Sequence, residues 1–298
     1  MTVIAALVGE ETLHVDVDIT NAPGLSAALL ACAPHDTVAV HTQTAGAEFC
    51  LPVPFFHWHE NRREPRTGDV GYASFGNYIC FYYGEMSSAD GPTNVVGRVR
   101  DVRTLQRLGL TLLEEGAARA RLLLPGSDHP RPSVPFQPGS AFLEAIRVLY
   151  HDTHRDPPAS IDELRSTPLP GMGNIAGRLQ ASGLLLGFGE ALFLLRGHSS
   201  NESMDVLVLT SMVSHELLRY ARWLELVGMC TVARHLRVIA SSCVPRADRV
   251  ELVSGLETML VSIARLRLWV DAVSPWHLLD KRFGNEEWLA TNIRGMSA

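Results

Sequence analysis

Residues 68–99, GDVGYASFGNYICFYYGEMSSADGPTNVVGRV, decide the fold of this chain. The pattern predicts two strands joined by a glycine-bracketed turn, followed by a polar loop and a third strand. By the two-residue period of a strand, one face of the middle strand carries Ile79, Phe81 and Tyr83 and the other carries Tyr78, Cys80 and Tyr82. Both faces are apolar enough to be buried. We therefore expect one face in a barrel core and the other against a ligand groove or a second domain.

The flanking sequence extends this β-rich pattern in both directions. Strands are predicted within residues 3–18 and over residues 36–42 and 47–53. A helix over residues 23–33, with Asn21 as its N-cap, precedes the second group of strands, and a helix over residues 104–121 closes the unit. Several short strands with two helices in about 125 residues are typical of a small β-barrel domain, which we place at residues 1–124.

A proline-rich segment separates this domain from a helical one. Residues 125–139, PGSDHPRPSVPFQPG, hold five prolines, a density that no helix or central strand tolerates, and are predicted to be a linker. Residues 140–298 form the second domain, with apolar residues spaced three and four apart as in a helical bundle. The predicted helices span residues 140–150, 172–196, 202–226, 229–241 and 246–273, and a short one carries a capping box at Ser160 and Glu163. The fold class is α+β, a β-barrel followed by an all-α bundle.

Composition excludes several classes of function. The 298 residues carry a formal net charge of −6, so no basic field attracts a phosphate backbone, and we expect no nucleic-acid partner. No signal peptide is evident at the start, and the apolar run 184–195 is too short to span a bilayer and contains Glu190. We therefore expect a cytoplasmic protein with no membrane contact.

Cysteine and lysine usage bear on the chemistry. The five cysteines contain no CxxC pair, which favours buried thiols over disulfides or a zinc ribbon. Lys281 is the only lysine and stands in a polar segment, so Schiff-base catalysis through an enzyme lysine, including that of pyridoxal enzymes, is disfavoured.

Four successive motifs carry a family resemblance: AEFCLPVP, GDVGY, GNYICFYYG and NVVGRV, within residues 45–100. In this order they resemble the bacterial cyclophilin-like barrels. A cyclophilin-like barrel followed by a helical bundle is similar to the cucumopine and mikimopine opine synthases and to the related bacterial Pictet-Spenglerases that act on tryptophan. The chain differs from the barrel family at GYASFG, where GYWPPG is expected, and this replacement alters the pocket mouth around Phe75.

The resemblance implies a cofactor-independent condensation of an aromatic amino acid with an α-keto acid, typically 2-oxoglutarate, that closes a six-membered ring. We expect tryptophan as the amine before histidine, because the aromatic residues around this strand offer an apolar lining. The partners are then the amino acid and an α-keto acid or aldehyde. Apolar helices rich in leucine and glycine favour a homodimer, and no metal or other cofactor is expected.

This reaction needs a base to free the ammonium, an acid to expel hydroxide and a base to remove a ring proton. The candidate catalytic residues are Glu48, at the start of the strand before the aromatic loop; His57 and Glu60, in that loop; and Tyr82, on the outer face of the middle strand. Each has a plain structural explanation as well, as a solvated carboxylate, a loop side chain or a packed tyrosine. His57 and His59 form an HxH pair, but no third ligand stands at diagnostic spacing.

Candidate substrate-binding residues provide an aromatic lining and cationic groups for carboxylates. They are Phe56, His59, Phe75, Tyr78, Cys80, Arg98, Arg196 and His198. Arg196 and His198 end a predicted helix, where cations are also favoured by the helix dipole.

Other activities fit the sequence less well. His215-Glu216 lacks the second histidine of a zinc protease motif, and the glycines around residue 188 lack the strand and spacing of a dinucleotide loop. Two other hypotheses stay open: a non-catalytic module that binds a peptide or small molecule, and a peptidyl-prolyl isomerase suggested by the barrel resemblance alone.

Overall fold

A computed structural model describes residues 2–42, 46–86, 91–124, 140–155, 157–166, 174–200, 203–243 and 248–273. These residues form two compact units, one up to residue 124 and the other from residue 140 to residue 273. The predicted linker 125–139 and Lys281 lie outside the described residues.

The first unit is a closed antiparallel barrel of eight strands. In chain order the nine strands of the sheet, eight in the barrel and β5 at its edge, are β1 (Thr2–Val8), β2 (Glu11–Val17), β3 (His35–Thr42), β4 (Gly46–Pro52), β5 (Arg62–Arg63), β6 (Asp69–Ala73), β7 (Tyr78–Met86), β8 (Thr93–Val99) and β9 (Ala117–Leu123). The strands follow one another around the barrel as β2-β1-β9-β3-β4-β7-β6-β8, and pairing of β2 with β8 closes it, while the two-residue β5 adds to β8. The α+β fold class expected from the sequence is confirmed.

The two faces of β7 are both buried, as its composition predicts. Ile79, Phe81 and Tyr83 belong to the barrel core, where the Phe81 ring stacks on Phe49 with 5.1 Å between ring centroids. Tyr78, Cys80 and Tyr82 on the outer face are only 6%, 2% and 4% exposed. This strand therefore contributes to two buried environments.

Two helices accompany the barrel, α1 (Pro23–Cys32) and α2 (Val102–Glu115). The expected helix over residues 104–121 is wrong in its last third, because α2 ends at Glu115. Gly116 follows with a left-handed φ of 86°, and β9 begins at the next residue. The expected N-cap Asn21 is also wrong, since its side chain binds Asp18 instead of the helix.

The second unit is helical. Its helices are α3 (Ala141–Thr153), α4 (Ala159–Ser166), α5 (Asn174–Ser199), α6 (Val206–Leu226), α7 (Cys230–Ser242) and α8 (Arg249–Val273). The largest contacts join α8 to α5 and α3, and α6 to α7, around a core in which Phe188 stacks on Tyr220. The expected capping box is wrong: Ser160 is buried inside α4, and Glu163 binds the backbone N–H and hydroxyl of Thr231.

Within the described residues, one segment, Arg178–Ser199 of α5, is long and apolar enough to cross a membrane by length and composition. Core helices of soluble proteins pass the same test, and Ala181, Leu185, Phe188 and Leu192 along this helix are buried.

Candidate active site

The outer face of β4 and β7 brings together a carboxylate, a phenol and two thiols. Antiparallel pairing sets Glu48 directly opposite Tyr82 and Cys50 directly opposite Cys80. Because alternate residues of a strand share a face, all four side chains project to the same side. Glu48 and Cys50 are 4% and 0% exposed, so this polar cluster is buried.

Burial governs the protonation of two of these groups. Desolvation raises the pKa of the Tyr82 hydroxyl far above its usual value, and the neighbouring Cys80 and Glu48 side chains raise it further. The same desolvation, together with the hydrogen bond from Cys50, raises the pKa of the Cys80 thiol. Tyr82 and Cys80 are therefore neutral hydrogen-bonding groups near pH 7, and Glu48 supplies the carboxyl group of the cluster.

The position of the Tyr82 ring depends on β6 and β8. Gly71 of β6 lies under the ring, where a Cβ atom would approach a ring carbon to 2.9 Å. The Tyr82 hydroxyl interacts with the Thr93 side chain of β8. A larger residue at position 71 would displace the ring, so glycine at this position holds the phenol in place.

The aromatic loop that follows β4 is held at its main chain by two barrel residues. The Tyr72 hydroxyl accepts a hydrogen bond from the His57 N–H at 2.9 Å and lies 2.9 Å from Asn77 Oδ1, while the Asn77 amide donates to the Phe55 carbonyl at 2.7 Å. Asn77 has a left-handed φ of 55°, which asparagine tolerates well. These bonds fix the path of the loop past the start of β7.

Two candidate catalytic residues of the loop support α1 instead of joining the cluster. The Glu60 carboxylate accepts hydrogen bonds from the Gly24 and Leu25 N–H groups, at 3.2 and 2.7 Å, and so caps the helix that Asn21 was expected to cap. The His57 ring packs beside Gly24 and its Nδ1 lies 2.9 Å from the Trp58 carbonyl.

The aromatic substrate-binding candidates lie near the loop and the β6–β7 turn. Phe75 is 41% exposed and meets the Tyr78 ring edge-on, with 6.4 Å between centroids. Phe56 packs edge-on against Trp58. His59 lies 3.5 Å from the Ser74 hydroxyl, and partial burial lowers its pKa.

The cationic candidates are engaged in ion pairs or lie in the second unit. Arg98 donates to the buried Asp69 at 3.1 Å, a bond that links the GDVGY and NVVGRV motifs. Arg196 binds Glu257 at 2.7 Å within the helical unit, and His198 is exposed there.

Sequence reasoning missed several residues of this site. Cys50 shares the period of Glu48 and could have been found from that spacing. Gly71 and Asn77 stand within the GDVGY and GNYICFYYG motifs, but their roles, like that of Thr93, depend on partners elsewhere in the barrel and could not be assigned from the sequence.

Comparison with known sequence families and with curated proteins gives no match. Among solved structures, the chain is similar to McbB, which was determined in complex with tryptophan: the match covers 94% of this chain and 99% of McbB, with a TM-score of 0.81 at 16% identity. A solution structure of a hypothetical protein from Archaeoglobus fulgidus matches 41% of this chain and 94% of its own length, at 20% identity and a TM-score of only 0.33, and carries no argument. The likeness to McbB establishes a shared fold over both units.

Proposed function

We propose that this chain is an enzyme that condenses tryptophan with an α-keto acid such as 2-oxoglutarate, without a redox cofactor, to give a tetrahydro-β-carboline. The observation that carries the proposal is the buried Glu48 carboxylate directly opposite the Tyr82 phenol on the outer face of the barrel. The shared fold with a protein solved with tryptophan bound supports the choice of amine.

Glu48 is the proton-transfer group in this proposal. It removes a proton from the substrate ammonium, and the free amine attacks the keto carbon to give a carbinolamine. The same carboxyl group returns the proton as hydroxide leaves as water, forming an iminium ion. After the indole carbon attacks the iminium carbon, Glu48 takes the proton lost from that ring carbon, which restores aromaticity.

Tyr82 and Cys80 assist as neutral donors. Burial keeps the Tyr82 phenol protonated, so it can donate a hydrogen bond to the carbinolamine oxygen or to the Glu48 carboxylate. A protonated phenol does not replace Glu48 as the base. Tyr78, Phe56, His59 and Phe75 line the aromatic side of the substrate, while His57 and Glu60 act as positioning residues through α1. Arg98 is the candidate within the barrel unit for a carboxylate of the keto acid.

The test is incubation of the purified protein with tryptophan or histidine and 2-oxoglutarate, without nicotinamide, followed by mass spectrometry. We expect a protein-dependent product of the summed mass minus water, formed faster from tryptophan. The matched control is the same mixture with heat-denatured protein, which measures the spontaneous reaction. Saturable tryptophan binding with no product from either amino acid would contradict the enzyme proposal and favour a binding module.

A further inference from the structure

The buried cluster beside the proposed base also has the composition of a metal site. The carboxylate of Glu48 and the Sγ atoms of Cys50 and Cys80 lie within 4.8 Å of one another. The two sulfur atoms are 3.3 Å apart, held by directly opposed positions of neighbouring strands. Two rigid strands thus present three potential ligand atoms to one point.

This donor set suits a thiophilic divalent cation. Thiolate and carboxylate ligands are those that zinc accepts, and three protein ligands leave a fourth tetrahedral position open. Two thiolates on one tetrahedral zinc ion are about 3.7 Å apart, given Zn–S bonds of about 2.3 Å. The Cys50 and Cys80 sulfurs need to separate by only a few tenths of an ångström to reach that spacing.

A disulfide is the competing chemistry for this pair, and the geometry favours it less. The bond requires the sulfur atoms to approach to about 2.05 Å. From 3.3 Å this is a closure of more than 1 Å between the two sulfur atoms. The movement toward a metal site is smaller and opens the pair instead of compressing it.

Charge sets a condition for binding, because both thiols must lose their protons to become ligands. The ionised forms of the three groups repel one another in a buried environment, where such repulsion is strong. A divalent cation that displaces the two thiol protons makes three anionic ligands mutually compatible, and the site then carries a net charge of −1.

We propose that Glu48, Cys50 and Cys80 bind one thiophilic divalent cation of the zinc class, and that the bound ion inhibits the enzyme by occupying the carboxylate of Glu48. The metal-binding part of the proposal depends on the positions of the three ligand atoms and not on the proposed function. The inhibitory effect rests on the proposed function, because it assumes that Glu48 is the base.

Cobalt(II) is the probe for binding, since it accepts zinc ligands and its thiolate complexes absorb in the near ultraviolet. Chelator-treated, reduced protein is incubated overnight with Co²⁺ without oxygen, dialysed and analysed for metal and absorbance. We expect one Co²⁺ per chain with a sulfur-to-metal charge-transfer band that Zn²⁺ abolishes by displacement.

Cysteine variants locate the site. Cys50→Ser should lose the charge-transfer band and weaken binding by more than the roughly 10- to 100-fold seen when an outer-shell partner of a ligand is removed. The matched control, Cys243→Ser, changes a buried thiol of the helical unit and should keep both the band and the stoichiometry. Thermal melting of each metal-free variant shows whether it is folded.

The outcomes separate binding from inhibition. Absence of stoichiometric Co²⁺ from the reduced wild-type protein overturns the metal site, as does a band that survives in folded Cys50→Ser. If the ion binds, turnover by the metal-free protein should fall about 100-fold or more on loading, the loss expected when a general base is blocked, and recover with chelator. Product formation unchanged by a bound ion overturns the inhibition, whereas a metal-free protein that forms no product contradicts the proposed function and leaves the binding result standing.

Discussion

Glu48 is the residue on which the proposed chemistry depends. Glu48→Gln keeps the shape of the side chain but removes the proton acceptor, so we expect kcat for tryptophan condensation to fall about 100-fold or more. The measurement is steady-state product formation by mass spectrometry, with circular dichroism to verify the fold. Activity within a few-fold of wild type would exclude Glu48 as the base.

Tyr82 and Tyr83 are adjacent on β7 and provide a matched pair of substitutions. Tyr82→Phe removes the donor beside Glu48 and should lower kcat about 10-fold or more, since a hydrogen bond to a charged group contributes about 1.5–3 kcal/mol. Tyr83→Phe removes the bond of 2.7 Å to His41 inside the barrel and should instead reduce the free energy of unfolding by about 1–3 kcal/mol.

The comparison requires kcat and urea unfolding of both variants. Equal losses of kcat would show that the hydroxyl on the outer face has no special part in the reaction.

His41 makes stability depend on pH. Desolvation lowers its pKa from 6.5 to about 4, and its Nδ1 atom is buried without a hydrogen-bond partner among the described residues. Because the unfolded chain binds the proton more readily, the stabilisation is fully present above pH 6.5 and is lost as the pH falls toward 4. Between pH 7 and pH 5 we expect the free energy of unfolding to fall by about 2 kcal/mol from this group.

Urea titrations of the wild type and of His41→Asn at both pH values provide the measurement. The variant should be less stable at pH 7 but should lose less stability on acidification. The same pH dependence in both proteins would assign it to other groups.

At the level of elements, the start of α1 depends on a distant carboxylate. Glu60→Gln weakens the acceptor for the Gly24 and Leu25 N–H groups and removes the charge at the helix N-terminus, which should cost about 1 kcal/mol of stability. We expect kcat to change by no more than a few-fold. A large fall in kcat with an unchanged melting temperature would return Glu60 to the catalytic residues.

The strands also show where a sequence pattern is enough to predict secondary structure and where it is not. Alternation of apolar residues predicted the strands around Phe49 and Phe81, because strand period and burial coincide there. It failed for β9, whose sequence AARARLL consists of residues that favour helices. Pairing with β1 and β3 on its two sides, a tertiary effect, makes it a strand.

The residues of the candidate site were also predicted only in part from the sequence. Tyr82 was identified from strand period, and Glu48 from its place beside the groove that the cyclophilin-like resemblance implies. Their opposition depends on the register between β4 and β7. The role of Glu60 depends on a contact with residues 35 and 36 positions away, which no local pattern indicates.

On the scale of the whole molecule, the barrel closes within residues 2–123, since β9 lies between β1 and β3 and β2 pairs with β8. We therefore predict that a chain ending at residue 124 folds alone. The measurement is cooperative thermal unfolding with the circular dichroism of a β protein. A soluble but non-cooperative product would contradict the predicted domain boundary.

The way the aromatic loop is held has a consequence for how new specificities could arise. Tyr72 and Asn77 bind its main chain, so its path is determined by backbone atoms that every amino acid except proline possesses. Substitutions at Phe56, Trp58 or His59 should then alter the chemistry offered to a ligand while the loop keeps its course. Strand β7 is buried on both faces, so substitutions of its side chains disturb packing. Evolution of a new substrate preference, in nature or in a library, should therefore proceed through the loop.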